Sequence, residues 1–150
     1  MITSIFVAKK STQVLQAVER VQVVFGAGIT GDRNFKKSQW PGQNITFIEQ
    51  ESIDQFNTTY NQTITASATR RNVITTGVDL NALVGKEFTI GTATFKGVEL
   101  CVPCSKLGEL LQNDSIAKAT VVKAFLDSGG LRADVIDSGV IAVGMPVKRV

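Results

Sequence analysis

Apolar residues along this chain come in short runs rich in β-branched and aromatic side chains. Most runs end at Gly, Asn, Asp or Pro, as strands do. The pattern predicts strands over Ile2–Val7, Val21–Phe25, Ile45–Ile48, Val73–Thr76, Phe88–Ile90, Ala93–Cys101, Leu131–Ile136 and Val140–Val143. So many short strands in 150 residues imply a mainly β chain, a barrel or a sandwich. Helical spacing is rarer. It predicts a helix over Ser115–Ser128, capped by Asp114 or Ser115 and stopped by Gly129 and Gly130, with Ile116, Ala119, Val122, Phe125 and Leu126 on one face. Shorter helices are predicted over Ser105–Gln112 and Gln50–Phe56, and a short turn over Asp79–Val84, capped by Asp79 and closed by Gly85. The polar stretch Asn57–Thr69 reads as a loop or edge strand. No repeat or linker interrupts the chain, which predicts a single domain over residues 1–150.

Composition narrows the chemistry. With 43% hydrophobic residues the chain can bury a core without staples, and no apolar run approaches the roughly 18 residues a membrane helix needs. The opening Met1–Ala8 is too short for a signal peptide and Lys9 and Lys10 follow it, so a cytoplasmic protein without membrane attachment is expected. A formal charge of +3 and a pI near 9.0 favour anionic partners, a phosphate-bearing small molecule above a specific nucleic acid. The absence of histidine removes Ser-His-Asp and Cys-His activation, His-ligated zinc and imidazole proton transfer.

Two motifs compete for attention. Gly26-Ala27-Gly28-Ile29-Thr30-Gly31 is formally G-x-G-x-x-G, but the polar stretch after it is broken by Pro41 and Gly42, so the helix a dinucleotide site needs is missing. It reads instead as a glycine loop between strands with Asp32 and Arg33 at its exposed edge. Cys101-Val102-Pro103-Cys104 is Cys-x-x-Cys without the further ligands of a closed zinc site or the βαβ setting of a thioredoxin-like centre. Cys101 falls within an apolar run and reads as core. Cys104 follows a strand-ending proline and precedes a predicted helix, whose positive end would lower the thiol pKa and make Cys104 the candidate nucleophile and metal ligand. Arg70, Arg71, Arg132 and Arg33 are candidate phosphate contacts, with Asn72 and Thr75 as neutral hydrogen-bonding groups nearby and Asp32 beside Arg33. Lys9, Lys10, Lys36 and Lys37 read as solvated loop residues.

Taken together, Gly28–Arg33, Asn44–Glu49, Arg70–Gly85, Leu100–Leu107, Gly129–Val135 and Gly139–Gly144 resemble the MOSC domain, the module at the C-terminus of molybdenum cofactor sulfurases. The resemblance covers nearly the whole chain, and Arg70–Gly85 is its longest segment. It implies a closed β-barrel with a few short peripheral helices and one functional cysteine, which falls on Cys104. It also implies binding of molybdenum cofactor (molybdopterin) or carriage of sulfur as a persulfide, with the arginines meeting the pterin phosphate. Thiolate chemistry suits both roles and neither needs histidine. Where the family often has histidine after its Gly-Asp pair, this chain has Asn34, which weighs against a reductase role. The sulfurases' pyridoxal phosphate domain has no counterpart here, so a cysteine desulfurase would be a separate partner. Two alternatives stay open: a molybdenum-dependent reductase of N-hydroxylated compounds served by separate electron-transfer partners, and a metal-free thiol-disulfide protein using Cys101 and Cys104.

Overall fold

The computed structural model describes residues 1–101 and 105–150, with all their side chains except those of residues 105 and 106. Its strands are β1 (Ile2–Val7), β2 (Gln16–Val18), β3 (Arg20–Val24), β4 (Gly28–Ile29), β5 (Ile45–Glu49), β6 (Val73–Thr75), β7 (Glu87–Ile90), β8 (Ala93–Leu100), β9 (Leu131–Asp137), β10 (Gly139–Ala142) and β11 (Lys148–Arg149). Helices α1 (Gln50–Tyr60), α2 (Ser105–Leu111) and α3 (Lys118–Ala124) are joined by short 3-10 turns at Ala66–Thr69 and Asn81–Leu83. None is long and apolar enough to cross a membrane.

Every strand expected from the apolar runs is present within one or two residues. The closed barrel is not. Eight strands form an open sheet in the order β11-β7-β8-β9-β5-β6-β1-β2, and β10-β3-β4 form a separate sheet, all pairs antiparallel except β5 with β6. The edges β11 and β2 have two and three residues, too few to carry a closing ladder. Isolated backbone bonds tie the segment after β10 to β1 and to Glu19 before β3: Ile2 N–H to Met145 O (2.9 Å), Gly144 N–H to Ile2 O (2.8 Å) and Val143 N–H to Glu19 O (2.9 Å).

Strand alternation explains the core. Leu131, Ala133 and Val135 of β9 are buried on one face, while Arg132, Asp134 and Ile136 face outward. In β1 a register shift between Ile2 and Ser4 lets Ile2 and Ile5 both point inward despite their odd spacing. The parallel pair β5–β6 is apolar on both faces: Phe47 and Val73 enter the core enclosed by the sheet, whereas Ile48 and Ile74 meet the helices. This double burial accounts for the adjacent apolar pairs Phe47-Ile48 and Val73-Ile74. Phe47 meets Phe88 and Phe95 edge-on with centroids 5.5 and 5.7 Å apart, an arrangement the ring quadrupoles favour.

The helices depart more from the sequence pattern. Helix α1 continues to Tyr60, and Asn61 closes it at φ +53°. Asn57 then bonds the backbone of Ile64 in both directions, shaping what reads in sequence as a plain polar loop. Helix α3 begins only at Lys118, because Asn113 Oδ1 accepts both the N–H and the hydroxyl of Ser115 and holds a turn where the cap was expected. Within α3 only Val121 is buried, with Ile116 before the helix and Phe125 after it also buried, whereas Ala119 and Leu126, expected on the inward face, are exposed.

Candidate functional site

The βαβ unit β5–α1–β6 brings the starts of two parallel strands side by side, and β9 adds Arg132 opposite Thr46 of β5. Where these meet the loop after β4 there is a cleft of about 260 Å³, lined by Arg33, Asn34, Thr46, Thr69, Arg70, Arg71 and Arg132, with Ser11, Leu107 and Leu110 at its margin. A compartment of about 160 Å³ adjoins it, shares Asn34, Thr46 and Arg132, and adds Lys37, Gln43 and Asn72. All four arginines singled out from the sequence therefore meet in one place.

A buried framework holds them there. Asp32 is 6% exposed, not at an exposed edge as the sequence suggested. Its carboxylate accepts the N–H of Ala8 (3.2 Å) and Asn34 (3.4 Å) and pairs with Arg33 Nη1 at 3.0 Å. Arg33 reaches on through Nη2 to Arg70 O (3.2 Å). Arg70 lies at φ +59°, a left-handed conformation uncommon for a side-chain-bearing residue, and its guanidinium donates to Ser11 O and Gln13 O, both at 3.0 Å. Arg71 Nε donates to Gly129 O at 2.9 Å. Gly130, at φ +107°, packs so closely on the Phe47 carbonyl that any Cβ would collide with it, so glycine there lets this loop come in against β5.

Charge in the cleft is unbalanced. Four guanidinium groups face one buried carboxylate, and the further acid beside them, Glu99, stands 3.9 Å from Arg132 in an exposed pair of little strength. Burial and then the neighbouring Arg33 push Arg70 below the usual guanidinium range, with Asp32 opposing the shift. Cationic crowding of this kind is relieved by an anion, and planar guanidinium forks suit phosphate.

The remaining candidates fall differently. Asn72 is 2% exposed and spends its side chain inside the protein, its Oδ1 accepting from Thr46 N and Oγ1 (both 3.2 Å) and its Nδ2 donating to Phe6 O. It positions β5 and β6 and only borders the smaller compartment. Thr75 is fully buried near the far end of β6, away from the cleft, its hydroxyl without a partner among the described residues. Lys37, read as solvated, lines the smaller compartment. Thr46 and Thr69 were not singled out from the sequence, although a threonine interrupting the apolar run Ile45–Ile48 was the available signal.

Cys104, with its expected place at a helix start, lies outside the described residues. Helix α2 begins at Ser105, and its Leu107 lines the cleft. Cys101 is buried, as its apolar run implied. Burial pushes its thiol above the ordinary range, and Arg71 and Arg132 pull it back in part. For a phosphate-bearing pterin the described residues fit: Arg71 and Arg132, with Arg33 beside them, would hold the phosphate, Arg70 braces the cleft margin, and Thr46, Asn34 and Gln43 offer neutral polar groups.

Comparison with solved structures gives the same architecture. The YUAD protein of Bacillus subtilis superposes with a TM-score of 0.83 at 18% identity, over 99% of this chain and 96% of that one. YiiM from Geobacillus stearothermophilus does so with a TM-score of 0.77 at 22% identity, over 100% and 75% of the two chains. YiiM from Escherichia coli gives 0.69 at 16% identity, over 100% and 70%. No curated protein matches the chain. The MOSC domain matches residues 32–148, a span that holds all four arginines and both cysteines, and the chain therefore belongs to the MOSC domain family.

Proposed function

We propose that this chain binds molybdenum cofactor in the arginine cleft, with Cys104 as its thiolate ligand or as the carrier of a persulfide sulfur. The observation that carries the reading is the convergence of Arg33, Arg70, Arg71 and Arg132 on one cleft with a single buried counter-charge. Such a cleft selects an anion. Membership of the MOSC family supports the choice of a phosphate-bearing pterin, and the thiolate-accepting molybdenum centre supports the choice of Cys104.

Each group has a stated role in this reading. Arg71 and Arg132 contact phosphate, Arg33 is aimed by Asp32, and Arg70 ties the Ser11–Gln13 loop to the cleft margin. The bound cofactor would supply a soft metal centre able to take a thiolate or sulfide. As a carrier, the Cys104 thiolate attacks the outer sulfur of a donor persulfide. One S–S bond forms as another breaks, the donor leaves as a thiolate, and no net oxidation occurs. The donor is a separate pyridoxal phosphate-dependent cysteine desulfurase.

Mass spectrometry of protein purified from a molybdenum-replete host tests the reading. Pterin released on denaturation, or a 32 Da adduct confined to the Cys104 peptide and lost in Cys104→Ser, is the expected result. Protein that carries neither, from a host expressing the desulfurase, refutes it. Reduction of an N-hydroxylated base with electron-transfer proteins supplied would move the assignment to a reductase.

A further inference from the structure

A second surface feature lies across the loop that borders the smaller compartment. Residues 37–43 present Lys37 and Gln43 to the cationic side and Ser38, Gln39, Trp40 and Pro41 to an open groove of about 340 Å³ on the other. Phe25, Asp134 and Ile136 complete that groove. Phe25 and Trp40 are 66% and 68% exposed, the two strongly exposed aromatics among the described residues, and both line this one groove.

Neither ring is there by default of structure. Gln43 Oε1 accepts the N–H of Gln39 (2.7 Å) and of Trp40 (3.2 Å), and Gly42 N–H donates to Asp134 Oδ1 (2.8 Å), so the Trp40 turn is built. Phe25 N–H donates to Ser138 Oγ at 2.8 Å and Gly26 N–H to Val135 O at 3.1 Å, which fixes the opposite wall. The carboxylate between these walls is half-committed: among the described residues, Asp134 Oδ2 makes no hydrogen bond or ion pair. Lys96, its register partner on β8, is exposed and forms no ion pair with it.

Two exposed aromatic rings and a carboxylate lining one groove suit a cation with apolar or planar character, and arginine fits both demands. From this geometry we infer that the groove is a docking site for an arginine side chain on a partner polypeptide. Charge complementarity selects the arginine. The exposed tryptophan and the groove's position beside the cleft favour a protein surface, because aromatic anchors of this kind concentrate binding energy at interfaces. A partner seated here would stand against the same loop that lines the smaller compartment beside the arginine cleft. The inference stands whatever the cleft carries.

Trp40 is the only tryptophan in the chain, so its fluorescence reports the groove directly. The probes are the peptides acetyl-Gly-Arg-Gly-amide and acetyl-Gly-Gln-Gly-amide, with tetramethylammonium chloride as the small-molecule cation. Saturable change with the arginine peptide and at least about tenfold weaker response to the glutamine peptide is expected. Asp134→Asn keeps an acceptor for Gly42 while removing the charge, and should weaken the arginine peptide by about the same factor. Lys96→Gln should tighten it about twofold by removing a competing cation, and Arg71→Ala should leave it unchanged. Equal response to both peptides, or full affinity in folded Asp134→Asn, overturns the proposal. So does tetramethylammonium binding tighter than the arginine peptide, which would assign the groove to a small molecule.

Discussion

The core around Phe47, Phe88 and Phe95 and the cleft around Arg33, Arg70, Arg71 and Arg132 meet at β5, where Phe47 enters the core and Thr46 lines the cleft, yet they obey opposite rules. In the core every neighbour reinforces the next: three rings pack at centroid distances of 5.4 to 5.7 Å, and all three are fully buried. In the cleft like charges are held together against their repulsion by Asp32, by loop carbonyls and by the turn at Gly129–Gly130. Such local conflict is what a bound anion would resolve, which is why the proposed function is placed in the cleft and the stability in the core.

Mutation can break that comparison at either end. The largest effect is expected from Phe47→Ala, which opens a cavity between two aromatic partners and should cost about 3–5 kcal/mol in denaturant unfolding. Next comes Asp32→Ala. It strands the Ala8 N–H and leaves Arg33 without its partner, for a cost of about 2–4 kcal/mol. The two should differ in kind as well as size. Folded Asp32→Ala should also lose phosphate-ligand affinity by titration calorimetry, whereas Phe47→Ala, studied below its melting point, should keep it. Equal affinity in both would detach Asp32 from the cleft.

Cys101→Ser sharpens the boundary between the regions and should cost about 1–3 kcal/mol by placing a hydroxyl in the core, with loading of the cleft retained. The same thiol carries a pH signature. Because burial raises its folded pKa above the ordinary thiol value, the native state holds its proton longer than the unfolded chain does. Its contribution to stability is therefore complete below the unfolded pKa and falls as pH rises from about 8.5 towards the folded value. Melting curves between pH 7 and 10 should show a decline that Cys101→Ala flattens. A wild-type slope identical to the mutant's would place the thiol in contact with water.

The smallest effects on stability belong to the cleft itself. Arg71→Ala should change stability by no more than about 0.5 kcal/mol, since relieved repulsion offsets the lost bond to Gly129, yet reduce phosphate-ligand affinity about tenfold. Lys9→Ala, on an exposed loop outside the cleft lining, should leave affinity unchanged. Equal losses in the two proteins would point to a diffuse field instead of a site. Lys37→Ala should fall between them, because Lys37 borders only the smaller compartment.

Local pattern by itself determined the strands, because period-two burial and β-branched runs are written residue by residue, as in Leu131–Val135 and Phe88–Ile90. Residue type marked the four arginines, and the absence of histidine narrowed the chemistry. Side-chain competition was less legible: Asn113 displaced the start of α3 through two bonds to Ser115 that helical spacing does not register. Tertiary structure alone decided that Arg33, Arg70, Arg71 and Arg132 share one cleft while Thr75 stays behind at the far end of its strand. It also buried Asp32 beneath them, left the eight-stranded sheet open at two short edges, and put Phe25 beside a loop that ends 18 residues later at Gln43. The reason is that pairing partners in a sheet are set by long-range register. Thr46 meets Arg132 across 86 positions of chain, and no local periodicity carries that distance.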